Sequence, residues 1–188
     1  MGFFRRSAEH STEFWRNPPF RADSAVLHER GITAYVRDDG KTMLACGWAI
    51  WRQSGMHSEQ ARDLIIDGYG LWRVEPTTSY EDRIAFLCDL FDTLQADSPP
   101  SCPPDIFAVP RELVEPALDY YGTIAWAGAE LIEQALEAGD EPMNDAYAQP
   151  VYEALVNMNR GFLSGRDAQV ARKLAFDLGL PDPFPVHT

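Results

Sequence analysis

Between residues 97 and 110 the chain reads DSPPSCPPDIFAVP, with five prolines from Pro99 to Pro110. Proline has no backbone N–H and its ring locks φ, so such a stretch neither continues a helix nor sits in the middle of a sheet. It reads as an extended connector over 99–110. On either side of it, a mixed part (1–98) and a helical part (111–188) are expected to pack together as one globular domain. The 188 residues are 45% apolar and 12% aromatic, enough to build a core and too apolar for a disordered chain.

Before the connector the patterns point to strands. SAVLHE and ITAYVR are rich in β-branched and aromatic residues and flank Arg30-Gly31. TMLACGWAIW follows DDGK, and Asp39-Gly40 is a hairpin signal because a type I′ turn needs positive φ at both central residues. The register set by that turn places Leu44, Cys46, Trp48 and Ile50 on one face. The other face carries Ala34, Ala45, Gly47 and Ala49, small enough for a helix or a flat ligand to approach the backbone closely. SEQARDLIIDGYG predicts a helix from a Ser58 cap to a Gly68/Gly70 turn, with LWRVE returning as a strand. SYEDRIAFLCDLFDTLQ predicts a helix opened by Ser79 with Asp82 three residues on.

After the connector everything reads helical. Pro116 and Pro150 suit first turns, Gly139 a stop, Ser164 a cap with Asp167 at the box position, and Gly179-Leu180 a Schellman-type end. The fold class expected is therefore α+β: a small antiparallel sheet of three or four strands in the N-terminal half, packed with a helical C-terminal half.

The charge of −13 is distributed unevenly. Residues 1–73 carry ten basic and nine acidic groups, and residues 74–188 carry six basic and twenty acidic ones. Such a field repels nucleic acid and anionic lipid and favours a basic protein partner. No apolar run is long enough to span a bilayer, and MGFFRRSAEH lacks the apolar stretch of a signal peptide. Gly2 stands ahead of Arg6, where a myristoylation signal wants Ser or Thr. A cytoplasmic location is expected.

Three scattered cysteines (Cys46, Cys88 and Cys102) make neither a disulfide framework nor a zinc site. His10, His28, His57 and His187 are isolated, so no metal and no cofactor are expected. Nucleophile-elbow, phosphate-loop and EF-hand patterns are absent. The catalytic candidates that remain are Cys46 and His57, eleven residues apart. A thiol among Leu44, Trp48 and Ile50 has its thiolate suppressed by desolvation, which makes Cys46 a core residue before it is a nucleophile. Cys102, between prolines, is expected to be the accessible thiol.

Glu130, Glu133 and Glu137 fall at i, i+3 and i+7, opposite Ile124, Leu131, Ile132, Ala135 and Leu136, with Asp140 and Glu141 extending the cluster. Like charges so spaced, at the wrong end of a helix macrodipole, cost roughly a few tenths of a kcal/mol per pair. They read as a solvated face or as a surface for a cationic partner. The functional expectation is a cytoplasmic interaction protein of inhibitor or immunity type. A small enzyme around Cys46 and His57, or a small-molecule binding module on the small-residue face, stands as the alternative.

Overall fold

The computed structural model describes residues 14–16, 18, 20–54, 58–96, 108–157, 165–177 and 179–183. Among these residues every regular element is a helix: α1 Ser24–Tyr35, α2 Gly40–Ser54, α3 Glu59–Trp72, α4 Tyr80–Ala96, α5 Arg111–Ala138, α6 Glu141–Asn157 and α7 Gly165–Asp177. The α+β expectation is overturned, since the segments read as strands are helices. No helix among the described residues is long and apolar enough to cross a membrane. The chain divides into two compact units, Met1–Phe86 and Leu87–Thr188.

In the first unit, SAVLHE and ITAY are one helix, α1, opened by Asp23, whose carboxylate accepts the Val26 N–H at 3.0 Å. Asp39-Gly40 is a turn, but between two helices. Asp38 takes positive φ (54°), and the Asp39 carboxylate accepts the Thr42 N–H at 2.9 Å, so Asp39 starts α2 where a hairpin was expected. The run that follows is buried from Met43 to Trp51 without alternation. An unbroken apolar run fits a covered strand and a covered helix equally. Its length and the Asp39 cap decide for the helix.

Glycines let α2 and α3 meet backbone to backbone. A Cβ on Gly40 would lie 2.5 Å from the Trp72 nitrogen, and one on Gly47 would lie 3.0 Å from the Ala61 carbonyl oxygen. On α3, a Cβ on Gly68 would lie 2.8 Å from Met43 Cβ. The helix therefore runs through Gly68 and Gly70 to Trp72 instead of ending in a turn there, and the segment read as strand LWRVE is its last residues and the following turn. Ser58 caps α3 as expected, accepting the Ala61 N–H. Trp15, Tyr69 and Trp72 close around Phe86, with ring centroids 5.3, 5.5 and 5.8 Å from it. Each large ring buried in this way contributes roughly 1.5–3 kcal/mol by its area, before the stacked and edge-on ring contacts are added.

In the second unit α5 is the central element, buried from Thr123 through Ile132 apart from Trp126. It packs on α6 and α7. A Cβ on Gly128 would meet Val151 Cγ1 at 3.0 Å and Phe91 Cε2 at 3.2 Å, so the small-residue stretch YYGTIAWAGA serves close packing there. The Tyr120 hydroxyl donates to the Leu94 carbonyl at 2.7 Å, in the last turn of α4, where carbonyls have no partner within the helix. Ser79 and Asp82 form the capping box of α4, with Asp82 N–H donating to Ser79 Oγ at 3.1 Å. Gly139 and Gly179 end α5 and α7 with φ of 68° and 67°. Pro116 and Pro150 lie inside α5 and α6, deeper than the first-turn places expected of them. Ser164 and the connector residues 97–107 lie outside the described residues.

Candidate functional site

Cys46 sits on α2 with no exposed surface. Burial is the main influence on its thiol, pushing it from 9.0 to about 11, with Arg30 pulling weakly the other way. At neutral pH such a group is a protonated thiol packed in the core, not a nucleophile. His57, its expected partner, and Cys102 lie outside the described residues.

Cys88, on α4, is half-buried, and burial pushes its thiol to about 12 against a hydrogen bond with Tyr147. The Tyr147 hydroxyl, on α6, donates to Asp92 Oδ2 at 3.4 Å. Burial raises the Asp92 carboxyl, the Tyr147 bond opposes that rise, and nearby Asp89 adds to it. Burial also raises the Tyr147 hydroxyl, with Cys88 and Asp92 adding to the rise. The Cys88 thiol and the Tyr147 hydroxyl hold their protons at neutral pH, and the Tyr147–Asp92 bond ties α4 to α6. The sequence offered no signal for it, because residues 88 and 147 are distant in the chain.

The acidic residues on α5 do not form one solvent face. Glu130 is buried (6% exposed), and its carboxylate accepts from Gln134 Nε2 at 3.3 Å. Glu133 and Asp140 are partly buried, whereas Glu137 and Glu141 are exposed. The expectation that all three glutamates face solvent is therefore corrected at Glu130: the middle of α5 is covered nearly all round. Leu136, assigned to the apolar stripe, is 39% exposed.

Three cations of this unit have described, exposed side chains, and each is held by a carboxylate of the same unit. Arg111 reaches Glu115 at 2.8 Å, Arg172 reaches Asp182 at 3.5 Å and Lys173 reaches Asp177 at 2.5 Å. Glu112, in the first turn of α5, is exposed and was not singled out by spacing. Among the described residues no three His, Cys, Asp or Glu side chains converge to hold a metal ion. Compared with protein families, curated proteins and solved structures, the chain matches none.

Proposed function

We propose that the second unit is a docking module for a cationic protein, of inhibitor or immunity type, acting in the cytoplasm. The observation that carries this reading is the pairing of Arg111, Arg172 and Lys173 within the unit. Those cations are already neutralised, while the carboxylates of Glu112, Glu137 and Glu141 stand exposed without an ion pair among the described residues. Excess negative potential over such a surface steers basic partners and repels nucleic acid and anionic membranes. Free thiols at Cys46 and Cys88 fit a reducing compartment. The enzyme alternative is weakened by the buried, protonated Cys46. The binding-module alternative loses its expected site, because α3 fills the space over Gly47.

The test is capture of basic proteins from lysate at low ionic strength, followed by kinetics with the one recovered. The variant Glu112→Gln, Glu137→Gln, Glu141→Gln is compared with the parent. The expected result is an association rate lower by about fivefold or more at low salt, converging with the parent as salt screens the charges. Melting temperature should stay within about 4 °C of the parent, because the three side chains are exposed and each charge at a helix end is worth only about 0.3–1 kcal/mol. Capture indifferent to salt, or a variant that associates as fast as the parent, overturns the proposal.

A further inference from the structure

A groove of about 620 Å³ runs along α1 in the first unit. Buried Leu27 and Ala34 contribute to its lining, which Phe20 extends from the segment before the helix. Arg30 and, in the turn after the helix, Arg37 line the same groove. Arg30 lies in the last turns of α1 and Arg37 in the turn that follows it, so both stand towards the C-terminal end of the helix.

The two guanidiniums differ from four other described cations. Arg62, Arg111, Arg172 and Lys173 all reach carboxylates. Arg30 and Arg37 reach none among the described residues, in a chain with 29 carboxylates to 16 basic groups. Arg30 has its carbon Cζ 4.1 Å above the centre of the Phe20 ring. Stacking engages the face of a guanidinium and leaves its N–H edge to donate, so this cation is oriented before anything binds.

Two carboxylates also line the groove, Glu29 and Asp39. Asp39 Oδ1 accepts the Thr42 N–H at 2.9 Å, so its charge is set against the positive end of α2. Glu29 has no such offset and is exposed, beside Arg30 in the chain. The lining therefore holds two cations that meet no carboxylate among the described residues, and two carboxylates, of which Asp39 is engaged by a backbone N–H.

We propose that this groove binds an organic anion, a carboxylate or phosphate ester with an aromatic or aliphatic body. Arg30 and Arg37 take the anionic group, and the body lies against Leu27, Ala34 and the Phe20 side of the groove. The volume falls in the small-ligand range of about 300–1,000 Å³, more than a bare inorganic anion fills. This site is in the first unit and is independent of the carboxylate surface proposed for the second.

The test is a titration of the full ¹⁵N-labelled chain, followed by amide shifts, with phenyl phosphate, phenylacetate, inorganic phosphate and benzylammonium. Phenyl phosphate or phenylacetate should give saturable shifts centred on residues 30–42, and whichever binds tighter identifies the anionic group. Inorganic phosphate should bind at least about tenfold more weakly, since it lacks the apolar body. Benzylammonium should give none. Arg30→Gln and Arg37→Gln should each weaken binding by about fivefold or more, the scale of one charge-assisted hydrogen bond at a partly open site. Glu29→Gln should tighten it by about twofold, by removing the opposing charge. Unchanged spectra outside the groove show that the variants remain folded, and Arg37, with no ring contact among the described residues, serves as the control for loss of the Arg30 stack. The proposal falls if neither organic anion saturates, if benzylammonium or inorganic phosphate binds as well as they do, or if both arginine variants keep the parent affinity.

Discussion

Gly68 and Gly70 lie two residues apart in α3, so their Cα hydrogens point about 200° apart around the helix axis. An added Cβ at Gly68 would lie 2.8 Å from Met43 Cβ and 2.9 Å from the Leu44 nitrogen, whereas one at Gly70 would meet nothing within 4 Å. Replacing either by alanine removes the same backbone-entropy penalty, about 0.5–1 kcal/mol. Only Gly68→Ala adds an overpacking cost, about 1–3 kcal/mol, because the atom struck is partly α2 backbone and has no rotamer into which to retreat. The shared propensity gain cancels in the comparison, leaving a gap of about 1–3 kcal/mol between the two variants. At about 2–4 °C per kcal/mol for a chain of this length, Gly70→Ala should melt above the parent and Gly68→Ala below it. Circular dichroism melts of the three proteins measure this, with urea midpoints as a second readout. Coincident melts, or Gly68→Ala melting above Gly70→Ala, would refute the backbone-level contact between α2 and α3.

Tyr120→Phe should cost about 1–3 kcal/mol in urea unfolding, since it strips a buried Leu94 carbonyl of its hydroxyl donor at the open end of α4. The buried thiols give a pH prediction with a definite sign. Their folded values, about 11 for Cys46 and about 12 for Cys88, lie above the ordinary 9.0, so their stabilising contribution is complete below pH 9.0 and is lost as pH rises through 11 and 12. Urea midpoints should fall on the alkaline side, Cys46→Ala and Cys88→Ala should flatten that fall, and a neutral thiol reagent at about pH 8 should reach Cys46 only as the chain unfolds.

The helices legible in the sequence are those with chemical punctuation at their ends. Ser58, Ser79 and Asp82 mark starts, and Gly139 and Gly179 mark stops, each by a hydrogen-bonding or dihedral requirement local to a few residues. The first unit misleads because its glycines serve another purpose. Gly31 was read as a turn between strands, yet a Cβ there would strike Leu64 Cδ2 at 2.5 Å. It belongs to the buried line Leu27, Gly31, Ala34, at i, i+4 and i+7, which is a helical period with a glycine where the neighbour comes closest. Gly40, Gly47 and Gly68 repeat the pattern. A glycine that continues an apolar stripe is a contact surface, and one that follows the stripe's last residue is a stop. Composition does not separate the two, but position on the stripe does.

The candidate site was less legible for a related reason. Spacing of glutamates at i, i+3 and i+7 finds a solvent face only on a helix that has one, and α5 is enclosed through its middle, so Glu130 went inside while Glu137 stayed out. What remains on the surface is sorted by the helix ends. Glu112 opens α5 and Glu141 opens α6, where the positive ends of the macrodipoles already favour a carboxylate. Glu137 sits in the last turn of α5, facing the negative end, and that turn contains no basic residue. Its charge is the least offset of the three by its own helix. In the proposed docking role, Glu137 is therefore the carboxylate at which a partner's cation relieves an existing repulsion as well as adding an attraction.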